Sequence, residues 1–385
     1  MKRPTPVAVT FAIACVILLA DAAPLWAQGN PKYALWTAPA FLRGANIALS
    51  PTERPALADF IALRQAGANL VQLSARGIQK TQPPFADDTA SATRLSEAVE
   101  NADSAGLYVV IAMRTGPGLE DVAVEAQTPG LQSKLWVDSN ARSAFQLMWR
   151  RLAEEYRSDP HVIGYNLIVE PLPEAAVPGL STCCASVSDT ALLHHGISWP
   201  AIADTLVSVI RQVDSVTPIV VGATGFALPP FFASMRPVTG SYIVYDVHQY
   251  EPHSYTHQGT SANYPVGLAW PGARFRYWRD NRDHVLDTSF LRSVLAPVVA
   301  FQHRAGDAPV FVGEFGVNRQ APGAADFINS ETAIFRELGW HGAMWIWGCC
   351  GRMEVTAADS ASADPQTRAI LEAYQEYWRT APGPH

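Results

Sequence analysis

Two glutamates stand at the ends of runs that otherwise have no use for charge. Val310-Phe311-Val312-Gly313 leads directly into Glu314-Phe315-Gly316, and the largely apolar stretch from Val162 to Val169 leads into Glu170-Pro171. A short, near-continuous apolar run reads as a strand buried on both faces in a parallel sheet, which has no polar side chain to spare. A lone carboxylate at the C-terminal tip of such a strand lies where an α/β barrel keeps its chemistry. Taken singly, Glu314 could instead cap the following turn or pair with Arg319. Two carboxylates facing each other across a barrel mouth can divide a bond cleavage between an acid/base and a nucleophile, as in glycosidic bond cleavage.

The elements that would carry these residues repeat along the chain. Helical stretches at 56–65, 95–105, 138–156, 202–213, 286–303 and 324–338 alternate with apolar strands, and a final helix covers 366–378. Gly67 and Gly106 follow the first two helices and open the strands Ala68–Leu73 and Leu107–Met113, a helix–glycine–strand connection typical of wound α/β folds. Further strands fall at Phe41–Leu49, Val162–Val169, Ile219–Gly222, Tyr242–Tyr250, Val310–Phe315 and Gly342–Gly348. Eight strand–helix units in 385 residues predict a single-domain (β/α)8 TIM barrel spanning 28–385.

The formal charge of −7 and pI near 5.8 argue against nucleic acid or an anionic membrane as partner. Met1-Lys2-Arg3, the apolar run from Val7 to Ala20 and the small residue Ala27 read as a signal peptide over 1–27, and predict a secreted or periplasmic protein with no membrane anchor after cleavage. A lipoprotein-type cut before Cys15 is the weaker reading, because the apolar run continues past it. Removal of the leader leaves Cys183-Cys184 and Cys349-Cys350. In an oxidising compartment they suggest disulfides, either two cross-links joining the pairs or two vicinal bonds. Zinc is disfavoured because adjacent cysteines lack the usual spacer between ligands. His248, His253 and His257 have no completing carboxylate cluster nearby in sequence, so no metal or other cofactor is expected, and the loop holding the last two reads as a wall of the substrate groove.

With Glu170-Pro171, His248-Gln249-Tyr250, Gly313-Glu314-Phe315-Gly316, Arg43-Gly44-Ala45-Asn46 and Trp345-Ile346-Trp347 in view, the chain resembles glycoside hydrolase family 5, the cellulase-like retaining β-glycosidases, over nearly all of its length beyond the leader. The resemblance implies that Glu170 is the general acid/base, Glu314 the nucleophile, Tyr250 the donor that orients Glu314, His248 a subsite ligand and Trp345 the platform beneath the reacting sugar; Arg43, Gln72, Arg114 and Trp347 complete the candidate substrate-binding residues. It implies a carbohydrate partner such as a β-glucan, cleaved in endoglucanase fashion. Trp345 and Trp347, two apart on a strand, would both face the mouth, the alternative being core filling. Apolar neighbours Val169 and Pro171 would raise the Glu170 pKa, and the Tyr250 hydroxyl would hold Glu314 ionised. Trp136, Trp199 and Trp270 fall in predicted loops that could cover a site.

This sequence departs from the family pattern in three places. Val169 stands where the family has Asn before the acid/base, Gln72 where it usually has Arg, and Arg114 where it usually has His. Arg114 could supply the charge that Gln72 lacks. A barrel that binds carbohydrate without turnover, and a transglycosylase with the same carboxylates, are the alternative readings.

Overall fold

The structure, a computed structural model, describes residues 29–50, 52, 54–121, 133–180, 189–349, 351–355 and 364–379. Its centre is a closed parallel barrel of eight strands: β1 (Arg43–Ala48), β2 (Leu70–Ala75), β3 (Tyr108–Met113), β4 (Val162–Asn166), β5 (Ile219–Gly222), β6 (Ile243–Gln249), β9 (Val310–Phe315) and β10 (His341–Met344). Each pairs with its neighbours in order, and β10 closes on β1. The predicted barrel is thus the fold. Side chains of β2, β6, β9 and β10 are buried throughout, because helices cover one face and the barrel interior the other.

The helices follow the expected amphipathic logic. Helix Ser139–Tyr156 buries Ala141, Phe145, Met148, Trp149, Leu152 and Tyr156, and its N-cap Asp138 accepts hydrogen bonds from the Asn140 and Ala141 amides. Helix Thr89–Ser104 starts six residues before the predicted position, because the N-cap Asp88 lies ahead of its apolar stripe. Helix Trp199–Arg211 likewise begins early, with Ser198 as its cap.

Two elements were not anticipated. Helix Pro31–Thr37, capped by Asn30, lies across the N-terminal end of the barrel, where Tyr33 and Trp36 join Leu70, Val110, Ile163, Val220, Val244 and Phe311 in a separate apolar cluster. The Trp36 indole donates to the Ile163 carbonyl at 2.8 Å. An antiparallel hairpin, β7 (Arg274–Tyr277) and β8 (Arg282–Val285), stands outside the barrel between β6 and helix Thr288–Arg304.

Two strands also end sooner than expected. β4 stops at Asn166, so Glu170 lies beyond an irregular segment, with φ of 56°. β10 stops at Met344, ahead of both tryptophans. No helix among the described residues is long and apolar enough to cross a membrane. Residues 1–27, Cys183, Cys184 and Cys350 lie outside the described residues.

Candidate active site

The floor of the barrel mouth is a connected polar layer. Asn46 Nδ2 donates to the Gly313 carbonyl at 2.7 Å, and Gln72 Nε2 donates to Asn46 Oδ1 at 2.9 Å and to the Gly313 carbonyl at 3.1 Å. Asn166 Nδ2 donates to Asp246 Oδ2 at 2.7 Å and to Gln72 Oε1 at 3.3 Å. Asp246 Oδ1 in turn accepts the Gly313 amide at 2.9 Å. Only glycine fits at 313, since a Cβ there would sit 2.1 Å from Asp246 Oδ1. The layer therefore grips the backbone immediately before Glu314 from three strands.

Glu314 stands on this floor, almost wholly buried, at the C-terminal end of β9. Arg114 Nη2, from the end of β3, reaches its Oε1 at 2.5 Å, and the Tyr250 hydroxyl donates to its Oε2 at 3.1 Å. The Arg114 guanidinium is also tied to Ser74 Oγ at 3.1 Å and lies 4.6 Å over the Trp345 ring. An irregularity in the β6–β9 register at Val247/His248 sets His248 opposite Glu314. His248 Nδ1 is 3.0 Å from Glu170 Oε1 and 3.6 Å from Glu314 Oε2, and its Nε2 is 3.4 Å from Asp246 Oδ2. One oxygen of Glu170 and one of Glu314 lie within 4.8 Å of each other.

This proximity sets the charge balance. Burial penalises the His248 imidazolium, but Glu314, Asp246 and Glu170 outweigh it and hold its pKa well above the ordinary value. Burial likewise opposes ionisation of Glu170, yet the hydrogen bond and charge of His248, aided by Arg114, bring it below the usual carboxylate range. Glu314 is pushed up to about 7 by burial and by Glu170, against the pull of His248, Arg114 and Tyr250. The expected order of the two carboxylates is therefore reversed. The hydrogen bond and charge of His248 outweigh at Glu170 the burial that its apolar chain neighbours Val169 and Pro171 predict. Arg114 keeps its proton firmly, since Glu314 and Glu170 overcome the effect of burial.

Glu170, His248 and Glu314 could each offer one ligand atom to a cation. The guanidinium on Glu314 opposes such an ion, and the set suits proton transfer better.

Of the nine candidate residues, the structure gathers six at the mouth: Glu170, Glu314, His248, Tyr250, Arg114 and Trp345, the last half-buried above Arg114. The other three need correction as substrate-binding residues. Arg43 begins β1 at the opposite end of the barrel, where its Nε donates to the Ala40 carbonyl and its guanidinium covers the Tyr377 ring. Gln72 is fully buried inside the floor layer. Trp347 is a core residue that donates to the Asp59 carbonyl and packs on Trp378, because β10 has ended and side-chain alternation no longer applies. His248 is also too buried for the role of subsite ligand, since its side chain is fully enclosed and meets three carboxylates.

Trp136 and Trp199 pack edge to face on each other, and Trp270 packs on Phe327, all buried. His257 stacks on His253 beside Tyr250, and burial with the neighbouring His253 lowers it to about 3. Asp246 was missed, although its place two residues before His248 on one strand puts both on the same face.

A family model described as Cellulase (glycosyl hydrolase family 5) matches residues 37–351. Similar curated proteins include Endoglucanase C of Acetivibrio thermocellus, 23% identical over 205 residues that cover 48% of this chain and 53% of the relative. Endoglucanase 3 of Fibrobacter succinogenes is 22% identical over 230 residues, 54% of this chain and 32% of the relative. The chain thus spans about half the length, or less, of these curated relatives. Among solved structures, the endoglucanase Cel5A from Thermotoga maritima superposes with a TM-score of 0.67 at 18% identity, covering 90% of this chain and 99% of that one. The cellulose synthase subunit Z from Clostridioides difficile gives 0.64 at 18% identity, covering 87% and 99%. At these identities the structural likeness bears on the fold, while the family match runs from before β1 to beyond β10 and takes in the whole carboxylate site. The chain belongs to family 5 of the glycosyl hydrolases, the cellulase family.

Proposed function

We propose that the protein is a retaining glycoside hydrolase that cleaves β-linked polysaccharide, endoglucanase fashion, by double displacement. The observation that carries this reading is the approach of Glu170 and Glu314 to within 4.8 Å at their nearest oxygens. Retaining enzymes hold the two carboxyl groups about 5–5.5 Å apart, whereas inverting enzymes need roughly 6.5–9.5 Å to admit a water.

In this reading a Glu314 oxygen attacks the anomeric carbon as the glycosidic C–O bond breaks, and the leaving oxygen takes a proton from Glu170. The proton is held between His248 Nδ1 and Glu170 Oε1, 3.0 Å apart. Its transfer to the carboxylate oxygen converts the resting ion pair into a neutral acid ready to donate. Loss of negative charge from Glu314 on forming the glycosyl ester then leaves Glu170 as the base. It removes a proton from the water that hydrolyses the ester, and Glu314 leaves as a carboxylate. Arg114 and Tyr250 favour the ionised nucleophile at each end of this cycle. The half-buried Trp345 offers an indole face to a pyranose ring.

Export through a cleaved leader over 1–27, a mature unit of 28–385 and disulfide bonding among Cys183, Cys184, Cys349 and Cys350 complete the proposal. A panel of β-glucans, mannans, xylans and aryl β-glycosides, read by released reducing sugar and by NMR of the first-formed anomer, tests it. A β-anomer from a β-linked substrate is expected. The α-anomer overturns retention, and binding without turnover favours the non-catalytic barrel.

A further inference from the structure

Tyr250 holds the nucleophile, and Glu251 next to it is a fully buried carboxylate with no part in the reaction described above. Its Oε1 accepts a hydrogen bond from Arg279 Nε at 2.8 Å, and its Oε2 lies 3.6 Å from His253 Nδ1. Arg279 is carried on the turn between β7 and β8, the hairpin that stands outside the barrel. Its guanidinium rests 4.1 Å over the Trp278 ring and 5.7 Å from the Phe231 ring. The hairpin is seated in turn on helix Thr288–Arg304, where Phe290 packs edge to face on Phe275 and Tyr277, each at 5.0 Å. A continuous chain of contacts therefore runs from an outer helix, through the hairpin and a buried ion pair, to the residue that touches the nucleophile.

Other bonds also hold the loop after β6 near Tyr250. The Thr256 hydroxyl donates to the Tyr250 carbonyl at 2.5 Å, and Gln249 Nε2 donates to the Glu251 carbonyl at 2.9 Å. Both are bonds to the backbone; the Tyr250 ring itself packs on His253 and His257, the first of which also faces Glu251. A buried ion pair adds little net stability over an apolar replacement, so its presence here calls for a reason other than stability. It fixes position, because a desolvated charge must stay on its partner.

We propose that Arg279 is a positioning residue for the nucleophile: through Glu251 it sets the loop after β6 so that the Tyr250 hydroxyl stays on Glu314 Oε2. The proposal rests on the reading of Glu314 as nucleophile. The charged and titratable groups facing Glu314 are Arg114, Glu170, His248 and Tyr250, and those around Glu251 are Arg279, His253, His257, Tyr264 and Tyr277. Loosening Tyr250 removes a donor that favours the Glu314 carboxylate, so the Glu314 midpoint should rise.

The test compares wild type, R279M, R279K, Y250F and Y250F/R279M on an aryl β-cellobioside. In parallel, the Glu314 carboxyl carbon is titrated by 13C NMR and assigned with E314Q. In R279M, kcat is expected to fall about tenfold or more with KM within twofold, and the Glu314 midpoint to rise. R279K, which keeps the charge, should show the same changes at smaller amplitude and carries the test if R279M does not fold. In the Y250F background R279M should add less than twofold and move the midpoint no further. Additive losses overturn the proposal, as does a fall in Tm with kcat and midpoint unchanged. A wild type without glycosidase activity would overturn the proposed function alone, since the NMR midpoints still decide the link from Arg279 to Glu314.

Discussion

At the residue scale the site is a row of charges in which no member titrates alone. Glu314, at about 7, must be ionised to attack, so kcat/KM is expected to fall as the pH drops through about 7. The alkaline limb should follow loss of the proton shared by His248 and Glu170, which the surrounding carboxylates retain well above the ordinary histidine range. A bell-shaped profile whose limbs belong to the cluster as a whole is the outcome to look for, with turnover abolished in E314A at every pH. Val169 makes a second claim at this scale. Buried, with its amide donated to the Met113 carbonyl, it puts no side-chain amide near a sugar 2-hydroxyl, and Asn166 is committed to Gln72 and Asp246. Contacts to that hydroxyl that strengthen in the transition state are part of several kcal/mol in typical relatives. Aryl 2-deoxyglycosides are therefore expected to react within about tenfold of their parents. A loss near a thousandfold, roughly 4 kcal/mol, would mean that another residue makes the contact.

At the scale of elements, the two ends of the barrel do different work and should respond differently to damage. Trp36 belongs to the helix across the N-terminal end, far from the carboxylates, and is fully buried. W36A should cost about 3–5 kcal/mol, seen as a lower Tm, with specific activity well below that Tm unchanged. Gln72 bridges Asn46, Asn166 and the Gly313 carbonyl beneath the nucleophile. Q72A leaves buried polar groups without partners, at about 1–3 kcal/mol. Here kcat should fall along with Tm, because the strand carrying Glu314 loses a restraint. Equal effects of the two variants on kcat would contradict this division.

At the scale of the whole molecule, the site lowers stability in a pH-dependent way. Glu314 has a folded pKa of about 7 against an ordinary value of 4.5. Its contribution is fully present below the unfolded value and is lost as the pH rises through about 7, with a size of roughly 3 kcal/mol. Glu170, held below the ordinary value, is ionised in both states over that window and adds no slope there. E314Q removes the titration, so its Tm advantage over wild type should widen from pH 5 to pH 7.5. Calorimetry across that range, with an advantage that stays flat or shrinks, would refute the burial cost assigned to Glu314.

The sequence by itself determined the barrel, because eight apolar runs separated by amphipathic helices leave few other ways to bury both faces of a parallel sheet. It also located both carboxylates, since charge at the end of a buried strand is conspicuous, and it placed Tyr250 and Arg114 near them. It did not reveal helix Pro31–Thr37 or the hairpin, which are short and acquire their apolar surroundings only from distant segments. Period-two alternation misled wherever a strand ended early, so Trp347 and the segment leading to Glu170 were drawn as extended when the backbone had already turned. Gln72, at the position of a family Arg, and His248, a subsite ligand by the resemblance, are both enclosed by other side chains. Whether such a side chain faces ligand or forms the floor depends on neighbours from three or four other strands. The direction of the two carboxylate shifts was decided in the same way: His248 brings Glu170 down, while burial and the nearby Glu170 push Glu314 up.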